Sequence, residues 1–267
     1  MSYRIKNTFS NNEKKLITFV TGGDPNIKTS KKIIDSIAKS GADIIEIGMP
    51  FSDPMADGPT IQLSSNRAIK KNVDLNKIFS ICKDFRSTNN KVPLILMGYY
   101  NVIHYYGIKK FVDKCNNIGI DGLIIVDLQP EEDSDLLTHI KKTQIDLIRL
   151  ITPTTDEKRL KNILKYSSGF LYYVTITGIT GQKSANIKEL KHSIKIIKKH
   201  TKLPIVCGFG VKNSEQVKEI CKISDGVVVG SSIVNIIEKN LKNNKKTISS
   251  IEKFVKKLKK GTNQWTG

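Results

Sequence analysis

Eight short runs rich in Ile, Val and Leu, recurring about every 30 residues, constrain this 267-residue chain more than any other feature. They are Leu16 to Thr21, Asp43 to Gly48, Pro93 to Tyr99, Gly122 to Asp127, Asp146 to Thr152, Phe170 to Thr175, Pro204 to Phe209 and Gly226 to Gly230. Such a repeat is the length of one strand, one helix and two loops. Between the runs, apolar residues fall at helical spacing, as in Ile33, Ile34, Ile37 and Ala38, and again in Phe111, Val112, Cys115 and Ile118. The alternation predicts an α/β protein: one (β/α)8 TIM barrel of parallel strands over residues 1–267, with a short N-terminal extension to about residue 14. Near-continuous apolar runs suit parallel strands, which are covered on both faces. The competing architecture, an open doubly wound sheet, usually carries G-x-G-x-x-G after its first strand; here that turn reads TGGDPN.

Charge and composition exclude several function classes. The formal charge of +19 raises nucleic-acid binding. Yet the basic residues are 39 Lys against 5 Arg, spread over helical segments without the aromatic interleaving that stacks bases. Solvated helix faces are the better reading, and no nucleic-acid partner is expected. No run approaches the ~18 consecutive apolar residues of a membrane span. The opening MSYRIKNTFSNNEKK lacks the apolar core of a signal peptide, so a cytoplasmic address is expected. Cys82, Cys115, Cys207 and Cys221 are far apart, and the four histidines show no ligand spacing, so no metal is expected.

In such barrels the chemistry sits on loops after the strands' C-terminal ends. The interval between the second and third strands is about 50 residues, and its excess begins with PFSDPMADGPTIQ, either a turn-heavy connector or a catalytic flap. Glu46, inside DIIEIGMP, is surrounded by apolar residues: a general acid/base with a raised pKa, or a layer carboxylate paired with Lys or Arg. Asp53 and Asp57 follow in the loop; Asp53 reads first as a turn residue, whereas Asp57 can be carried back over the barrel mouth. The turns TGITG (Thr177 to Gly181), GFGV (Gly208 to Val211) and VGSSI (Val229 to Ile233) follow three adjacent strands, and together they favour a phosphate cradle at a helix N-terminus.

The segment IEIGMPFSDPMADGPTIQ strongly resembles the signature of the tryptophan synthase alpha subunit family. LMGYYNVIHYYG, IDGLIIVDLQPEE, TGITG, GFGV and VVVGSSIV resemble further blocks of that family in its order, so the likeness spans essentially the whole chain. It implies cleavage of indole-3-glycerol phosphate to indole and glyceraldehyde 3-phosphate without a cofactor in this chain. Glu46 and Asp57 then correspond to the catalytic glutamate and aspartate. Tyr172 stands beside the substrate; Thr180, Gly181, Phe209, Gly210, Gly230 and Ser231 match the mobile-loop and phosphate positions. Phe19, Leu96 and Ile61 are assigned to the indole wall.

The resemblance also implies a beta subunit that carries pyridoxal phosphate and receives indole through a tunnel, in an alpha2-beta2 heterotetramer. Pro50, Asp53 and Asn101 match its inter-subunit surface. Val126 and Gln129 depart from the family's pattern by replacing prolines after the fourth strand. The alternative function is a catalytically silent subunit that only activates a beta partner; the retained Glu46 and Asp57 argue against it.

Overall fold

The structure, a computed structural model, describes residues 1–175, 183–208 and 210–263. These form nine strands: β1 (Lys15–Thr21), β2 (Ile44–Gly48), β3 (Leu94–Gly98), β4 (Gly122–Ile125), β5 (Asp146–Leu147), β6 (Arg149–Ile151), β7 (Leu171–Val174), β8 (Ile205–Gly208) and β9 (Gly226–Val229). The helices are α1 (Tyr3–Thr8), α2 (Ile27–Lys39), α3 (Pro59–Ile69), α4 (Leu75–Thr88), α5 (Tyr100–Tyr106), α6 (Ile108–Ile118), α7 (Ser134–Ile140), α8 (Glu157–Lys165), α9 (Lys183–His200), α10 (Ser214–Cys221), α11 (Ser231–Lys239) and α12 (Asn244–Asn263).

All strand pairs are parallel, in the order β5-β4-β3-β2-β1-β9-β8-β7-β6. The two ends of that order are consecutive in the chain, separated only by Ile148, whose N–H donates to the Leu123 carbonyl at 3.0 Å. The run expected as one strand, Asp146 to Thr152, is therefore a single stave that changes partner midway, and the change closes the ring.

Side chains alternate between the barrel interior and the helix layer. Ile17, Ile44, Ile95, Ile124, Phe170, Val206 and Val228, with Ile148, pack together inside. Their sequence neighbours, among them Leu16, Ile45, Leu94, Leu96 and Val227, join the helices' apolar faces in a second, outer core. Counting two residues onward from each of these eight inner residues gives Phe19, Glu46, Met97, Val126, Leu150, Tyr172, Gly208 and Gly230, one layer nearer the strands' C-terminal ends. The active-site layer is thus the next storey of the same interior.

The residues ahead of β1 pack under the barrel as a stopper. Ile5 of α1 is fully buried in the inner cluster, and Phe9 packs on Phe170. Ser2 caps α1 with its hydroxyl oxygen and donates its own N–H to Asp146 Oδ2 at 2.9 Å. An apolar helix residue completes the lowest layer of the barrel because no strand supplies one there, worth about 2–3 kcal/mol of burial.

Candidate active site

At the other end a cavity of about 480 Å³ opens above the inner core, and its lining includes Phe19, Glu46, Asp57, Ile61, Met97, Tyr172, Gly210, Gly230 and Ser231. Glu46 and Asp57 therefore face one space. Glu46 is held by the register of β2 between Phe19 and Ile95. It is fully buried, and neither carboxyl oxygen has a hydrogen-bond partner. Burial in this apolar shaft raises its pKa to about 8. Among the described residues no Lys or Arg pairs with it, which argues against the layer-carboxylate reading offered by the sequence.

Asp57 arrives from the loop after β2, immediately before α3. Tyr99, at the end of β3, fixes it: the phenol accepts from the Ala56 N–H and donates to Asp57 Oδ2, both at 3.1 Å. Phe51 stacks on the same ring at 5.2 Å. Burial raises the Asp57 pKa, and the Tyr99 hydrogen bond opposes that rise. Two carboxyls in one cavity thus have contrasting settings, one without polar partners and one hydrogen-bonded. Tyr99 escaped the sequence reading; its signal was an aromatic residue directly after a strand end, within MGYYN.

Aromatic walls need room, and glycines provide it. A Cβ on Gly208 would lie 2.6 Å from the Tyr172 hydroxyl, and one on Gly48 would lie 2.6 Å from the Phe19 ring. The Tyr172 hydroxyl titrates well above its ordinary value, through burial first and the nearby Glu46 second.

On the far side of the cavity, Gly230 precedes α11 and Ser231 opens it, with no side chain capping the helix. The amino-terminal amides and the positive end of the helix dipole are left to an anion. The Ser232 hydroxyl donates to the Val211 carbonyl at 2.5 Å, which binds the turn containing Gly210 to the start of α11. Two of the three glycine turns expected to build a phosphate cradle therefore meet; Thr180, Gly181 and Phe209 lie outside the described residues.

One assignment is corrected. Leu96 belongs to the outer core and Met97 lines the cavity. In a run buried on both faces, hydrophobicity does not reveal which parity points inward. Phe19 and Ile61 do line the cavity.

Pro50 and Asn101 lie outside this cavity and border a smaller one of about 300 Å³, with Phe51, Leu75, Val102 and Tyr105. Asp53 is exposed in a turn whose carbonyl accepts from Met55 N–H. Met55 and Tyr105 are 85% and 93% exposed, large apolar side chains left open to solvent. Where Val126 and Gln129 replace prolines, Arg149 donates to the Leu128 carbonyl at 3.2 Å and pairs with buried Asp133, holding the loop by charge. Among the described residues no cluster of His, Cys, Asp or Glu could hold a metal ion, and no helix is long and apolar enough to cross a membrane.

Comparison with known proteins matches residues 5–263 to the family described as tryptophan synthase alpha chain. Tryptophan synthase subunit alpha from Legionella pneumophila str. Paris is similar at 33% identity and TM-score 0.91, covering 99% of this chain and 100% of that one. A structure from Aquifex aeolicus VF5 is similar at 35% identity and TM-score 0.88, over 98% and 99% of the two chains. Tryptophan synthase from M. tuberculosis, in an open form with BRD0059 bound, matches at 26% identity and TM-score 0.86, over 97% and 98%.

Proposed function

The chain belongs to the tryptophan synthase alpha chain family, and on that premise we propose that Glu46 and Asp57 perform its reaction. That reaction is the lyase step of tryptophan biosynthesis, which cleaves indole-3-glycerol phosphate to indole and glyceraldehyde 3-phosphate. The alpha chain needs no cofactor of its own; pyridoxal phosphate belongs to the beta subunit with which it assembles and to which indole passes.

The observation that carries the residue roles is Glu46: a fully buried carboxyl, unpartnered, with a pKa of about 8, at the floor of the cavity. Near neutral pH it holds its proton and delivers it to indole C3. That addition places positive charge on the indole nitrogen, whose N–H points to ionised Asp57. The Glu46 carboxylate then takes the proton of the side-chain hydroxyl as the bond from C3 to the glycerol chain breaks. The electron pair returns to the ring, and the acid is regenerated. Phe19, Ile61, Met97 and Tyr172 wall the indole, while the amides at Gly210, Gly230 and Ser231 hold the phosphate, with Gly181 and Phe209 assigned from the sequence. Thr180 is assigned to closing over the substrate and orienting Asp57. Pro50, Asp53 and Asn101 form part of the surface for the beta subunit, in an alpha2-beta2 heterotetramer. The enzyme works in the cytoplasm, a reading supported by the four buried free cysteines.

The test is indole release by Glu46→Gln in the presence of the beta subunit. We expect a loss of about 10²- to 10⁴-fold, with affinity for an unreactive indole-alkyl phosphate retained. Undiminished turnover would remove Glu46 from the mechanism.

A further inference from the structure

Asp57 stands immediately ahead of α3, and α3 is fastened at both ends to α11, the helix that faces the phosphate. In its first turn, Thr60 Oγ1 donates to Asn235 Oδ1 of α11 at 3.3 Å. In its last turn, Arg67 places Nε and Nη2 on the two oxygens of Asp24, each at 2.8 Å. Arg67 Nη1 also lies 3.7 Å from Glu238 Oε1, on α11 again. Asp24 is 1% exposed and sits in the loop that leaves β1, the strand carrying Phe19. Midway along α3, the hydroxyls of Ser64 and Thr21 are 2.5 Å apart.

We propose that Arg67 is a positioning residue for the reaction, whose fork locks α3 against α11 and the β1 loop and so sets the separation between Asp57 and the phosphate-binding amides. The inference rests on the role given to Asp57 above. The substrate is a rigid bicycle joined by a short chain to a phosphate. It can be gripped at both ends only if the two grips keep a fixed distance. A planar guanidinium that bonds one carboxylate bidentately while reaching a second one defines both distance and angle; an ammonium at the same place holds a distance and leaves the angle free. The competing explanation is that Arg67 only neutralises the buried Asp24 carboxylate. The two explanations differ in whether removing the fork disturbs the Asp57 contact.

The experiment compares the binding of an indole-alkyl phosphate with its N-methylindole counterpart, because the ratio of the two dissociation constants reads the contact between Asp57 and the ring N–H. The ratio is measured for the parent enzyme, Asp57→Asn, Arg67→Lys and Arg67→Met, with kcat and KM alongside. Positioning predicts that Arg67→Met collapses the ratio to the Asp57→Asn value and lowers kcat by about 10²-fold, with Arg67→Lys in between. If Arg67→Met does not fold, Asp24→Asn combined with Arg67→Met removes the buried charge as well as the fork, and the same collapse is expected. A parental ratio and kcat in the folded variant, accompanied only by a lower Tm, would overturn the proposal. A parental ratio in Asp57→Asn would instead overturn the reading of Asp57, so the two failures are distinguishable.

Discussion

Asp121 and Glu46 are both buried carboxyls, 1% and 0% exposed, at opposite ends of one barrel, and they are treated in opposite ways. Asp121 accepts from Ser2 Oγ at 2.6 Å, Leu94 N–H at 2.8 Å and Arg4 Nη1 at 3.1 Å, and it pairs with Arg86. Arg86 spends its other donors on the carbonyls of Gly119, Asn89 and Val92. Glu46 has none of this. The sealed end ties the N-terminal helix and two strand starts together with satisfied charge, while the open end leaves one acid without partners and therefore protonated. Satisfaction yields rigidity; its absence yields a proton that can be transferred.

The largest expected effect lies at the sealed end. Asp121→Ala leaves Arg86 buried without its counter-charge and should cost about 3–5 kcal/mol in urea unfolding, with kcat of the folded fraction unchanged. A loss below about 1 kcal/mol would mean that the two ends are not so different.

Next in size is Glu46→Gln, and its sign is opposite. Because folding raises the Glu46 pKa from 4.5 to about 8, the folded chain binds this proton more tightly than the unfolded chain. Its contribution is neutral below the unfolded value, becomes increasingly unfavourable as pH rises through the window, and levels off above about 8. Glu46→Gln should therefore raise the free energy of unfolding, with a gap that widens from about pH 5 to pH 8 and reaches a few kcal/mol. A gap independent of pH would contradict the buried, unpaired state of this acid.

Gly208→Ala forces a methyl against the Tyr172 hydroxyl and should cost about 1–3 kcal/mol, read as a rise in KM as well as a lower Tm. The smallest effect belongs to Tyr99→Phe, which removes the hydrogen bond to Asp57 and the one from the N–H of exposed Ala56. We expect about 0.5–1.5 kcal/mol, a drop in kcat of no more than about tenfold, and an Asp57 pKa higher than in the parent.

Much of this arrangement is legible in the sequence for identifiable reasons. The repeat of apolar runs exposes the barrel because each parallel strand is buried on both faces, and Glu46 stands out as an acid within such a run. The same double burial hides parity, so Leu96 and Met97 are indistinguishable as wall residues until the strand is folded. The change of partner at Ile148 also leaves no mark, since Asp146–Leu147 and Arg149–Ile151 run on through Ile148 with no Gly, Pro or turn residue between them. The stopper role of Ile5 depends on which residues lie beneath the barrel, and Tyr99 finds Asp57 from 42 positions away. Such pairings belong to the folded chain and have no local signature.

The switch of hydrogen-bonding partner at Ile148 has a mechanical consequence. Because every stave is bonded on both sides, the hoop has a fixed circumference, and its rim cannot splay to admit a bulky guest as a two-lobed clamp would. Any adjustment to a guest therefore falls to the loops that follow the strands, the one carrying Asp57 among them, while the hoop beneath keeps its shape.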